Sequence, residues 1–174
     1  GVHALHARFV NHRYQRHTHE HLVVGLVESG VQSYSYRGSR HFTPADNIFV
    51  VNPGEAHTGE SAAPMGYVYR TLYLEKPSCV RLLSELQGID SRPPWIRGAV
   101  FDDPELTRSL GVFHRALEHG ASALELESLL LRAAALLFEH HADIADVPRL
   151  VGKERGAVER AHDYMEAHFS EDVS

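Results

Sequence analysis

The apolar positions of this chain change period once, close to Pro77. Before it they alternate with polar residues or form short apolar runs broken by Gly and Pro, the signature of strands. After it they recur every three to four residues, the signature of amphipathic helices. Residues 2–10 alternate weakly and read as an opening strand or arm. Residues 22–27 make the first strong strand, with Glu28-Ser29-Gly30 as its turn. Residues 31–36 alternate cleanly as its hairpin partner, ended by Arg37-Gly38-Ser39-Arg40. A short strand at 41–43 precedes Pro44, and 47–51 reads as a strand covered on both faces. Residues 59–66 are small and read as a loop, and 67–74 is the longest alternating segment. Short strands at this spacing predict a jelly roll or barrel.

In the second part Ser78 is placed to cap a helix whose apolar stripe is Cys79, Leu82, Leu83 and Leu86, with Gly88 as its stop. Residues 92–96 form a Pro-rich connector expected to pack Trp95 on the barrel. Asp103 with Pro104 opens a second helix carrying Leu106, Leu110, Phe113 and Leu117 and ending near Gly120. Ser122-Ala123-Leu124-Glu125 is a capping box for a third helix carrying Leu126, Leu129, Leu130, Ala133, Leu136 and Leu137. The two helices should form an antiparallel hairpin with more apolar face than one pair can hide. Residues 142–148 read as a linker. A last amphipathic helix places Val158, Ala161, Met165 and Phe169 on one face. The expected class is therefore α+β, with an N-terminal barrel followed by a helical hairpin.

Composition changes this picture little. With 174 residues, 43% of them hydrophobic and 23% charged, the chain has the make-up of a globular domain that needs no staples for its core. Its one cysteine, Cys79, lies on an apolar helical stripe and reads as a small core residue. No apolar run reaches the roughly 18 residues a membrane helix needs, and residues 1–6 lack the apolar core of a signal peptide, so a cytoplasmic setting without membrane contact is expected. A formal net charge of −6 argues against this chain gripping a phosphate backbone by itself.

The chemistry gathers in histidines, of which there are 14. On an extended chain His17, His19 and His21 point the same way, and Asn52-Pro53-Gly54-Glu55-Ala56-His57 is a turn that presents a further imidazole. These stretches resemble the two cupin signatures: His17-Thr18-His19 closed by Gly30, then Gly54-Glu55-Ala56-His57. There are two departures. Val23 stands where the cupin pattern has an acid, and the proline sits directly before Gly54. The Asn-Pro-Gly-Glu-x-His turn followed by the Tyr-rich strand at 67–74 is similar to the effector-binding domain of AraC-family transcription regulators.

That resemblance implies a cupin-like barrel over 1–76 holding a small effector and a dimerising helical region over 77–142. It further implies a linker at 143–156, and at 157–174 the first helix of a helix-turn-helix DNA-binding domain of which the rest is missing. DNA would then be bound only through that missing C-terminal part. Arg8, Arg37 and Arg70 are alternatives for pairing with polar groups of the effector, and His17, His19, His57 and Tyr69 complete the expected effector-binding set. The three histidines could instead hold a divalent transition metal such as Zn, Ni or Fe. Leu106, Leu110, Leu129 and Leu136 are the expected homodimer contacts. The regulator reading excludes catalysis. Its rivals are a metal-dependent cupin isomerase or dioxygenase built on His17, His19 and His57, and a metabolite-binding module without signalling.

Overall fold

The computed structural model describes residues 1–87 and 94–143. Eight strands and three helices occur in the order β1 Val2–Phe9, β2 Arg13–His17, β3 Leu22–Tyr36, β4 Ser39–Pro44, β5 Ile48–Val51, β6 His57–Ser61, β7 Tyr67–Leu74, α1 Lys76–Gln87, β8 Val100–Phe101, α2 Pro104–Glu118 and α3 Ala123–His141. One antiparallel array runs β1-β7-β3-β5-β8. A second is formed by β2 on β6, β6 on β3 and β3 on β4. β3 belongs to both, and the two arrays face each other as the expected α+β barrel with helices behind it. None of the described helices is long and apolar enough to cross a membrane.

The long β3 corrects the expectation of two strands joined by a turn at 28–30. A bulge between Val27 and Ser29, together with Gly30 at φ 78°, bends one strand from the first array into the second. The bulge also reverses the alternation: Val23 and Val27 face the interior before it, Tyr34 and Tyr36 after it. Gly30 is required here because a Cβ would lie 2.2 Å from the carbonyl oxygen of Gly66. Gly66 in turn, at φ 81°, lies so close to Phe9 that its own Cβ would sit 2.2 Å from that carbonyl oxygen.

Three more expectations need adjusting. Residues 2–10 take the strand rather than the arm alternative: β1 pairs with β7 along its whole length, from Val2 opposite Leu74 to Phe9 opposite Tyr67, and β2 follows, paired with β6. Part of the expected 59–66 loop is strand β6, whose polar residues pair with β2 and β3. The first helix starts at Lys76, ahead of Ser78, whose hydroxyl instead donates to the Gly1 carbonyl. Asp103 and Ser122 cap α2 and α3 as their positions suggested, accepting from the Leu106 and Glu125 amides.

Two cores result. One fills the barrel with Val23, Val27, Phe49, Val51 and the rings of Tyr34, Tyr36, Tyr67 and Tyr69. The other lies between the outer face of the sheet (Leu22, Val24, Ile48, Val50, Leu72, Leu74) and the helices, to which α2 contributes Leu106, Leu110 and Phe113. The sheet and the helices therefore share one apolar layer, and β8 pairs with β5 of the barrel sheet. Trp95 is about half exposed and stacks against the Arg37 guanidinium, 5.0 Å from its ring centre, rather than sinking into the barrel. The expected linker beyond 143, the helix at 157–174 and the stop at Gly88 lie outside the described residues.

Candidate functional site

β2 ends at His17, directly opposite His57 at the start of β6. His19 follows in the link to β3, where its carbonyl accepts the Gly54 amide at 2.9 Å, so the turn at 52–57 is pinned to the histidine segment. The three rings converge. Centroids are 4.3 Å apart for His17 and His57, 4.7 Å for His19 and His57 and 5.6 Å for His17 and His19, and one nitrogen from each lies within 4.8 Å of the others. His21 is not among them. Residues 18–21 are not strand, so the two-residue alternation does not carry through, and the His21 ring sits near His3, 6.0 Å, and Tyr73, 6.1 Å.

Two of the three imidazoles have a fixed tautomer. His17 Nδ1 lies 2.7 Å from the Gln15 carbonyl and His57 Nδ1 lies 3.1 Å from that of Glu55. A carbonyl only accepts, so both Nδ1 atoms carry the proton and both Nε2 lone pairs are free. His19 Nδ1 is buried and has no partner. Burial, with smaller effects from neighbouring imidazoles, lowers the pKa of His57 to about 4 and that of His19 below its ordinary value. His19 and His57 are therefore neutral at pH 7.

These rings form one end of a cavity that opens to solvent. Its walls are the rings of Tyr14, Tyr34, Phe49, Tyr69 and Tyr73. Two glycines make room: a Cβ on Gly25 would lie 2.1 Å from the Phe49 ring, and Tyr14 packs 3.3 Å from where Gly59 would carry one. Val23 lines the cavity, so the position that would be acidic in the cupin pattern is apolar here, and among the described residues no Asp, Glu, Lys or Arg side chain lines it. Sequence reasoning missed Gln32 and Thr71. Gln32 shares its alternation phase with Tyr34, and Thr71 shares its phase with Tyr69 and Tyr73, which is the signal that could have found them. Gln32 Oε1, Thr71 Oγ1 and His19 Nδ1 are three buried polar atoms without a hydrogen-bond partner, and all three residues line this one cavity. Burial raises the Tyr69 and Tyr73 hydroxyls well above the ordinary phenol range, so both are neutral donors.

The arginines expected at the site are elsewhere. Arg8 is exposed on β1, on the face opposite Ala7 and Phe9. Arg37 is held by the Glu55 carboxylate, donates to the Ile96 and Arg97 carbonyls at 3.3 and 2.8 Å, and stacks on Tyr36 and Trp95. Arg70 is buried on the outward phase of β7 between Glu28, 2.5 Å, and Glu118, 2.6 Å. Leu106 and Leu110 are enclosed by this chain's own core and cannot face a partner, whereas Leu129 and Leu136 remain half-buried.

The donor set fits a transition metal. Three neutral imidazoles suit Zn, Ni or Fe, and an N–H donated from the far nitrogen to a carbonyl is how ligating histidines are usually oriented. The orphaned His19 nitrogen and the aromatic walls fit an organic molecule equally well.

No curated protein sequence matches this chain. Among solved structures it is similar to KdgF from Halomonas sp., with 20% identity, 41% of this chain and 67% of that chain covered and a TM-score of 0.37. It is also similar to an RmlC-like cupin from Shewanella frigidimarina, at 22% identity, 41% and 64% coverage and 0.38. AerE from Microcystis aeruginosa matches at 15% identity, 57% and 42% coverage and 0.44. The match thus spans about two thirds or less of each of those proteins. The sequence profile of the AraC-like ligand binding domain matches residues 1–134 of the 174, and on that match the chain belongs to this family of ligand-sensing domains.

Proposed function

We propose that this chain senses a small organic effector in the barrel cavity and passes the binding event to a DNA-binding part of a cytoplasmic transcription regulator. The observation that carries the site is the trio of partnerless polar atoms on His19, Gln32 and Thr71. Leaving a buried polar group unpaired costs about 1–3 kcal/mol, and a ligand that supplies partners recovers it. Aromatic walls with a few polar groups at one end are the usual lining of such a site. His17, His19, His57 and Tyr69 are the effector contacts; Arg37 acts on the site only by holding Glu55 in the turn that presents His57. Binding performs no catalysis in this reading; it shifts the balance between arrangements of the helices behind the sheet.

The test is a thermal-shift screen of small metabolites, followed by calorimetry of the hits on the native chain and on Gln32→Leu and His17→Ala/His57→Ala variants. Hits should lose most of their affinity in both variants, whose circular dichroism stays native. Hits that bind all three proteins equally would place the effector elsewhere and overturn the reading.

A metal-bound form of the same cavity is favoured by one observation: His17, His19 and His57 each bring one nitrogen within 4.8 Å of the others. His17, His19 and His57 would hold the ion, which would supply a positive centre for an oxygen of the effector. With Val23 in the wall the protein contributes no anionic ligand, so the ion keeps open positions.

The helical hairpin supplies the homodimer contact. Leu124 is 75% and Leu117 41% exposed, and Leu129 and Leu136 are half-buried on α3. Leu124→Glu with Leu129→Glu should give a folded monomer by sedimentation. A wild-type chain that is monomeric at high micromolar concentration would refute the contact. DNA would be met through a helix-turn-helix that opens with the helix expected at 157–174, since the net charge of −6 is unfavourable for phosphate binding by this chain alone.

A further inference from the structure

The start of α2 and the end of α3 meet at one side chain, Asp103. Its Oδ1 accepts the Leu106 amide at 3.0 Å and caps α2. Its Oδ2 is met by two imidazole nitrogens, His140 Nδ1 and His141 Nε2, both at 2.8 Å. Consecutive helical residues point about 100° apart, so these two converge on one oxygen only because His140 uses its near nitrogen and His141 its far one. Phe101 stacks on the His141 ring at 3.9 Å and 30°, holding it in that orientation. Burial alone would raise the Asp103 pKa, but hydrogen bonds from His140, the Leu106 amide and His141 outweigh it and hold the carboxyl at about 2, a permanent anion. The carboxylate is nearly enclosed, at 10% exposure, while the His140 side chain is 34% exposed, so the group opens to solvent on one side.

We propose that Asp103, His140 and His141 form a second metal site, independent of the barrel cavity, for a borderline divalent cation such as Zn²⁺. The donor set is two imidazoles and one carboxylate, which suits late first-row divalent ions. A tetrahedral ion with bonds of about 2.0–2.1 Å sets its ligands roughly 3.3–3.4 Å apart, so each nitrogen, now 2.8 Å from the carboxylate oxygen, has only to draw back by about half an ångström. The ion takes the place of the imidazole protons that now point at Oδ2, each neutral ring carrying its proton on its other nitrogen instead, and water fills the remaining positions on the His140 side. Oδ1 is not needed, so the α2 cap survives. The bound cation staples the N-terminus of α2 to the last turn of α3.

The test is calorimetric titration of Zn²⁺ into untagged, chelator-treated protein, with thermal unfolding alongside. The wild type should bind Zn²⁺ at this site and, at about 100 times Kd, unfold roughly 5–10 °C higher. Asp103→Asn keeps an oxygen for the cap but removes the anionic ligand, and His140→Ala removes an exposed ring. Each should remove one bound Zn²⁺ per chain together with the thermal shift. The His17→Ala/His57→Ala chain should keep both, which separates this site from the barrel. Zn²⁺ stoichiometry and midpoint shift that are unchanged in both Asp103→Asn and His140→Ala would overturn the proposal, as would their complete loss in the His17→Ala/His57→Ala chain. If His140→Ala fails to fold, Asp103→Asn decides alone.

Discussion

Replacing Asn52 by alanine should destabilise the protein far more than its place in a surface-type Pro-Gly turn suggests. The side chain is completely buried. Its Oδ1 accepts the Ile96 amide at 3.0 Å and its Nδ2 donates to the Ile96 carbonyl at 2.8 Å, so a single amide grips both polar groups of a residue 44 positions away. The Ile96 carbonyl has a second donor in Arg37 Nη2, at 3.3 Å, and keeps it in the variant. The Ile96 amide, with Asn52 Oδ1 gone, is left buried and unpaired. An orphaned donor costs about 1–3 kcal/mol and the lost second bond about 1 kcal/mol more, giving about 2–4 kcal/mol in all. For a chain of this length that lowers Tm by roughly 4–16 °C. Asn52→Asp keeps an acceptor for the amide but sets an anionic oxygen against the Ile96 carbonyl in a buried place, and should be no milder. Urea unfolding followed by circular dichroism measures the change, and hydrogen exchange at the Ile96 amide localises it. A midpoint within about 0.5 kcal/mol of wild type at unchanged m would refute the reasoning.

Three further outcomes are expected. His57 and His114 are both held near pKa 4, chiefly by burial, while unfolded histidines titrate near 6.5. The unfolded chain therefore binds more protons between those values, and stability is full above about pH 6.5 and falls toward pH 4, by on the order of 2–3 kcal/mol at pH 4.5 once solvent contact is discounted; a urea midpoint that is flat from pH 7 to 4.5 would contradict this. Gly30→Ala puts a Cβ into the Gly66 backbone and should cost roughly 3 kcal/mol or more, whereas Gly38→Ala, with the same backbone hand but open space around it, should cost about 1 kcal/mol; equal thermal midpoints would refute the contrast. Burial pushes the Cys79 thiol up to about 12, so a thiol reagent should label it only as fast as the protein unfolds, and labelling at the rate of a free thiol would refute its placement.

Much of this was legible in the residues because its causes are local. The caps at Asp103 and Ser122 announce themselves by residue type and by the apolar period just after them. His17, His19 and His57 carry spacings that match the cupin pattern. What stayed hidden depends on partners far along the chain. Asn52 reads as a turn residue, and nothing near it shows that it grips Ile96. The stripe of Leu106 and Leu110 fixes a helix face but not which surface covers it, and the sheet residues Val24 and Leu72 turned out to belong to the same layer. The bulge after Val27 reverses the inward phase, so simple alternation from Val23 does not lead to Gln32. β1 looks like an arm because its alternation is weak, and its neighbour β7 arrives only after the rest of the barrel.

That last feature sets a timetable for the newborn chain. Val2 pairs with Leu74, so during synthesis the first strand waits until the ribosome has added about 72 more residues. At about 5–20 residues per second this takes roughly 4–14 s, during which β1 and the inner strands have open edges. Closing the barrel does not end the exposure. Leu22, Val24, Leu72 and Leu74 then form an apolar sheet face whose cover, α2 and α3, is complete only at His141. A ribosome stalled between Leu74 and Pro104 would thus present a closed barrel with a bare greasy flank, the form in which a chaperone has most to hold.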